Sequence, residues 1–157
     1  MSYHRPDGEI SATYRPYSPK GDLDGPTGSM TFVAPGSMTR RQFGLYRRDM
    51  HPHAGGPDAH FHRTFSESFY VLEGTIRFFN GRSWLEATAG DFLYVPKGGI
   101  HAFKGDSDKP SSLLIVFAPG SAREQFFMEL DEIRKSGRKL SARQWTELYA
   151  RHDQYMV

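Results

Sequence analysis

A chain of 157 residues, 38% hydrophobic and with a formal charge of +2, has room for one domain and one core. No apolar run is long enough to span a bilayer and no basic stripe is concentrated enough to grip phosphate backbone, so neither a membrane nor a nucleic-acid partner is expected. Cysteine is absent, which excludes disulfides, thiolate metal sites and thiol nucleophiles. The basic clusters Arg40, Arg41, Arg47, Arg48 and Arg134, Lys135, Arg138, Lys139 read as solvated faces, which leaves a small molecule as the expected partner. The polar start Met1–Ile10 lacks the apolar core of a secretory signal, so the cytoplasm is the expected location.

Residues 1–28 are rich in Pro, Gly, Tyr and charge and keep neither a period of two nor one of 3.6. They read as an N-terminal arm whose Tyr3, Tyr14 and Tyr17 could pack against a second copy, and a homodimer is expected. Regular structure is expected from Ser29, with Met30, Phe32 and Val33 ahead of a Pro35-Gly36 turn. Short strands then follow at Phe43–Arg48, Glu67–Leu72, Thr75–Asn80, Ser83–Ala87, Phe92–Val95, Ile100–Lys104 and Ser112–Phe117. Breaks fall at Gly55-Gly56-Pro57, Glu73-Gly74, Asn80-Gly81, Gly90-Asp91 and Pro96-Lys97-Gly98-Gly99. This rhythm predicts an all-β antiparallel sandwich or barrel over residues 29–119. Leu113–Phe117 is apolar on both faces and should be central. Residues 120–157 read as a helical extension. Ser121 with Glu124 has the spacing of a capping box, ahead of Phe126, Phe127, Leu130 and Ile133. Ser141 with Gln144 repeats it, ahead of Trp145, Leu148 and Tyr149. The aromatic stripes of both helices are read as packing surface.

The chemistry concentrates between Gly55 and Gly105. His60 and His62 are one residue apart, so on an extended chain both imidazoles leave the same face. Glu67 falls on the opposite face of a regular strand, and joins them only if a turn or bulge intervenes at Arg63–Ser66. His101 follows the Pro96–Gly99 turn, and a barrel brings such distant strands side by side. Three imidazoles and one carboxylate then form a plausible four-ligand site. His51 and His53 read as loop residues, and His4 and His152 as surface ones. Phe69, Tyr70, Phe78, Trp84, Tyr94 and Phe103 are expected mostly in the barrel core, some lining a pocket.

The spacing His60-x-His62-x4-Glu67-x6-Gly74 resembles the first cupin motif, and Gly90-x5-Pro96-x-Gly98-x2-His101 resembles the second. The likeness covers about Arg40 to Pro119. It implies a cupin double-stranded β-helix, or jelly-roll barrel, with short C-terminal α-helices. One divalent transition metal (iron, nickel, manganese, copper, cobalt or zinc) would be held by His60, His62, Glu67 and His101. There are two departures: Ala54 stands where the first motif has glycine, with Gly55 and Gly56 displaced, and Gly105 replaces an asparagine after the second motif. The segments Tyr70–Gly74, Asp91–Pro96 and Phe117–Gly120 leading into Glu124–Phe127 are similar to small cupins grouped with bacterial quercetin 2,3-dioxygenases. That resemblance implies a metal-dependent dioxygenase acting on a small aromatic or enediol, flavonol-like substrate, with Glu67 releasing to act as a base. A non-redox isomerase, decarboxylase or hydrolase with the same ligands would form product without oxygen. A non-catalytic ligand-binding module would bind without turnover.

Overall fold

The structure, a computed structural model, describes residues 3–157. Residues 3–20 form no helix or strand and are exposed. Leu23–Gly25 (β1) then pairs antiparallel with Gly28–Ala34 (β2), so the stretch expected as arm supplies an edge strand. From there the chain alternates apolar and polar residues at the strand period. Gly44–Met50 (β3), His60–Phe61 (β4), Ser66–Glu73 (β5), Thr75–Phe79 (β6), Trp84–Thr88 (β7), Phe92–Val95 (β8), Ala102–Lys104 (β9) and Ser111–Ala118 (β10) follow. The larger sheet has the order β1-β2-β3-β10-β5-β8, and the smaller one β7-β6-β9. β10, apolar on both faces, lies between β3 and β5 as expected.

Facing residues from both sheets fill one core. Tyr46, Phe65, Phe69, Leu113, Ile115 and Phe117 come from the six-stranded sheet and the segment leading into it, and Ile76 and Phe78 from the three-stranded one. Phe69 packs on Phe78 and Phe103 with ring centroids 5.2 and 5.4 Å apart. Each such ring removed from water stabilises the fold by about 2–3 kcal/mol. In β5 the inward residues are Glu67, Phe69 and Val71, which turns Tyr70 outward. Tyr70, Trp84 and Tyr94 are exposed, not in the core as expected; only Phe69, Phe78 and Phe103 of that set are buried. The β5–β6 reversal passes through Gly74 at φ +73°, where a Cβ would sit 2.5 Å from the Pro110 carbonyl oxygen.

Two helices follow, Arg123–Ser136 (α1) and Ala142–Arg151 (α2). Ser141 and Gln144 form the expected capping box on α2. Ser121 does not cap α1: its N-cap is Ala122 with no side-chain bond, and Glu124 accepts the Tyr46 hydroxyl from the barrel instead. Phe126, Ile133 and Leu148 make a second small core, which Phe127 joins to the first. After α2 the chain turns back, and Tyr155–Met156 (β11) pairs antiparallel with β4. No helix among the described residues is long and apolar enough to cross a membrane.

Candidate metal centre

His60, His62, Glu67 and His101 are all buried, and their ligand atoms lie within 4.8 Å of one another. His60 and His101 are direct cross-strand neighbours: each backbone N–H donates to the other's carbonyl, at 3.0 and 2.9 Å. The parity change the sequence demands is present. His60 and His62 are inward, the chain bends at Arg63–Thr64, and Phe65, Glu67 and Phe69 are inward thereafter. Gly98 N–H donates to the His62 carbonyl at 2.7 Å, tying the second motif's turn to the first motif.

The imidazole Nδ1 atoms fix the ring orientations. They lie 2.8 Å from Asp58 O for His60, 2.6 Å from Asp153 O for His62 and 3.0 Å from Gly99 O for His101. A carbonyl only accepts, so each Nδ1 carries the hydrogen and each Nε2 is left with its lone pair. His62 Nε2 and His101 Nε2 stand 3.0 and 2.8 Å from Glu67 Oε2, an atom that also offers only lone pairs. Such a meeting is favourable only with positive charge between the partners, either a proton or a metal ion. The donor set therefore fits a divalent metal, with neutral imidazoles and a carboxylate suited to first-row ions.

The titration directions agree. Burial lowers His60 to about 4, assisted by the neighbouring His101, which leaves it neutral and ready to ligate. Burial alone would raise Glu67, but the facing His101 and His62 imidazoles outweigh it and hold the carboxyl well below the usual range. Burial would lower His101, yet its hydrogen bond to Glu67 prevails and raises it.

A structural partner that the sequence reading missed is Asp153. Its carboxylate accepts from Arg63 N–H at 3.1 Å, Thr64 N–H at 2.8 Å and Thr64 Oγ1 at 2.6 Å, clamping the bend between His62 and Glu67. Its carbonyl orients His62, and its φ of +54° allows both contacts from one residue. Arg123 holds this segment from within. Its Nη1 donates to His152 O at 2.8 Å and its Nη2 to Gln154 Oε1 at 3.0 Å, while the guanidinium lies 4.1 Å from the Phe126 ring. Burial lowers Arg123 to about 10, so it is still charged at neutral pH.

The remaining histidines stay outside the cluster. His51 is exposed against Pro26 O, His53 is exposed beside Asp108, and His4 is exposed. His152, expected at the surface, is half-buried with Nε2 2.7 Å from Glu129 Oε2. The displaced first-motif glycine has its reason in Gly56, where a Cβ would stand 1.8 Å from Phe103 O. Ala54 meanwhile bridges Gly105, whose N–H donates to Ala54 O at 2.9 Å.

A cavity of about 400 Å³ opens from the cluster. His60 and Glu67 close its inner end, Met30, Phe103, Ile115, Phe126, Phe127 and Leu130 form its walls, and segments 23–28 and 55–57, with Asp24, Pro26, Thr27, Gly55 and Gly56 exposed, border its mouth. The volume suits one small organic molecule.

Comparison with known proteins agrees with this arrangement. Residues 46–117 match the family described as the cupin domain. Over 73 residues the chain is 33% identical to a quercetin 2,3-dioxygenase of Bacillus subtilis (strain 168), a match spanning 46% of this chain and 21% of that protein. The chain thus spans about a fifth of the length of that curated relative. Among solved structures, KdgF from Halomonas sp. superposes with a TM-score of 0.56 at 16% identity, over 64% of this chain and 87% of that one. A predicted oxalate decarboxylase from Thermotoga maritima superposes with a TM-score of 0.54 at 19% identity, over 57% and 78%. Both likenesses establish the double-stranded β-helix fold alone.

Proposed function

We propose, from the match of residues 46–117 to the cupin domain family, that the protein is a metal-dependent dioxygenase acting on a small aromatic or enediol substrate. The observation that carries this reading is one cavity of about 400 Å³, walled by apolar and aromatic side chains and closed at its inner end by His60 and Glu67 of the four-residue cluster. The partial match to a quercetin 2,3-dioxygenase supports it.

His60, His62, Glu67 and His101 would hold the ion. When bound, a first-row divalent ion supplies Lewis acidity and an open position where substrate oxygen and dioxygen can meet. The chain's own residues do the rest. Nδ1 hydrogen bonds keep the three imidazoles in one tautomer and orientation. Glu67, held ionised by the facing His101 and His62, would be the base that takes the hydroxyl proton of the substrate. Met30, Phe103, Phe126 and Phe127 orient an apolar ring and exclude water from the inner end. We also propose a homodimer through the exposed 3–20 arm with its Tyr14 and Tyr17.

Oxygen uptake by protein reconstituted separately with iron, nickel, manganese, cobalt and copper, given flavonol and enediol substrates, tests the proposal. The expected result is substrate-dependent oxygen consumption abolished by Glu67→Ala. Product formation without oxygen consumption would contradict it.

A further inference from the structure

The inward face of β3 carries one residue that does not belong in a core. Gly44, Tyr46 and Met50 are buried, and Arg48 shares their face, paired in register with Met30 on β2 and Leu113 on β10. The sequence reading placed Arg48 in a solvated basic cluster; the structure turns it into the barrel. Its hydrogen bonds run from Nη2 to Thr27 O at 3.2 Å and Thr27 Oγ1 at 2.7 Å. The adjacent Asp49 points to the other face, where Arg47 takes it through Nε and Nη2 at 2.9 and 2.8 Å. Arg48 thus lines the cavity half-buried and, among the described residues, without a carboxylate partner.

A second guanidinium lines the same cavity. Arg123 is 4% exposed, makes no ion pair among the described residues, and its buried Nε has no hydrogen-bond partner. The cavity's acidic residues are otherwise placed. Glu67 belongs to the metal cluster, Asp131 is taken by Arg134 and Lys135, and Asp24 stands exposed at the rim. Glu67 and Asp153 supply negative charge near Arg123, whereas Arg48 is held only by a carbonyl and a hydroxyl, and a guanidinium partly withdrawn from water without a paired carboxylate favours an anion.

We propose that the cavity binds a small organic anion, a carboxylate on an apolar body, with the carboxylate against Arg48 and the reactive end toward His60 and Glu67. This rests on reading the metal cluster as the reactive centre. Arg48 lies opposite Leu113, and Glu67 opposite Phe117 of the same central strand, on its other side. At ordinary strand spacings the two Cα atoms are roughly 16 Å apart. Side chains shorten that gap without closing it. The anionic group and the reacting oxygen are therefore separate groups joined by an apolar spacer, and the walls of Met30, Phe103, Phe126 and Phe127 contact that spacer.

Calorimetric titration with hydrocinnamate and with its neutral amide separates the charge from the apolar body. The full chain is used both metal-loaded and after chelation, as wild type, Arg48→Gln and Arg48→Lys. Hydrocinnamate is expected to bind about tenfold tighter than the amide, the contribution of one charge-assisted hydrogen bond. Arg48→Gln should erase that preference chiefly by weakening the acid, with an unchanged circular dichroism spectrum showing the fold intact, and Arg48→Lys should keep most of it. The preference should survive chelation. Equal affinity for acid and amide, no binding of the acid, or an undiminished preference in Arg48→Gln overturns the proposal. A preference lost on chelation and indifferent to Arg48 overturns it in favour of direct carboxylate–metal contact. A chain that takes up no metal yet shows the Arg48-dependent preference would refute the dioxygenase reading and leave the anion site standing.

Discussion

Asp153→Ala should weaken metal binding without touching a ligand. The substitution removes three hydrogen bonds that hold the Arg63–Thr64 bend and leaves the carbonyl that orients His62. At about 1 kcal/mol net apiece for bonds near the surface, the bend loses about 3 kcal/mol of local stability. His62 and Glu67 flank that bend, so ligation must re-impose a geometry that is prepaid in the wild type. Loss of an outer-shell partner weakens metal affinity about 10- to 100-fold, equivalent to about 1.4–2.8 kcal/mol, or most of what the clamp provides. The φ of +54° complicates the alanine variant, because alanine tolerates the left-handed region less well than aspartate. Asp153→Gly separates the effects, since it relieves the strain and still lacks the carboxylate. Asp153→Asn tolerates the same φ and keeps one acceptor. Competition against a chelator of known affinity should rank them wild type, then Asn, then Gly and Ala together. The line shape of the copper-loaded protein in electron paramagnetic resonance should broaden in Gly and Ala. Wild-type affinity in Asp153→Gly would refute the clamp and leave backbone strain as the whole effect.

Three further outcomes follow from other parts of the molecule. Metal affinity should fall with pH, because His101, raised by Glu67, must release its proton before Nε2 can ligate; its contribution is about a factor of ten per unit below its raised value. His60 adds a second such dependence only near pH 4, and chelator competition from pH 8 to 4 should show the steepening. Gly56→Ala places a Cβ 1.8 Å from Phe103 O and should cost about 3 kcal/mol, whereas Gly55→Ala has open space and should melt close to wild type; similar melting temperatures for the two would contradict the close-approach argument. Deleting residues 1–20 should convert a dimer into a monomer by sedimentation, and an unchanged dimer would remove the arm from the interface.

The ligand set was legible because the strand period alone puts His60 with His62 and excludes Glu67, so that a bend at Arg63–Ser66 had to be inferred; the structure has it at Arg63–Thr64. What holds that bend was not legible. Asp153 is ninety residues away from Arg63, and the strand that delivers it, Tyr155–Met156, is too short to carry a period. Ser121 and Glu124 show a local signal losing to a tertiary one, since the Tyr46 hydroxyl claims Glu124 from across the core. Tyr70 and Tyr94 show the reverse. Alternation in β5 and in its partner β8 already turned both outward, and reading the aromatics as mostly core overrode a pattern that was readable. Arg48 was equally readable as an inward residue of Phe43–Arg48, but its three arginine neighbours in the sequence made it look like surface charge.

His60, His62, Glu67 and His101 together should hold one divalent ion. Elemental analysis of untagged protein as isolated, beside the Glu67→Ala/His101→Ala double variant, decides this. Close to one equivalent of a divalent transition metal is expected in the wild type and its loss in the variant, with the variant's circular dichroism retained. No metal in the wild type even after reconstitution with each candidate ion, or equal metal in both proteins, would contradict it.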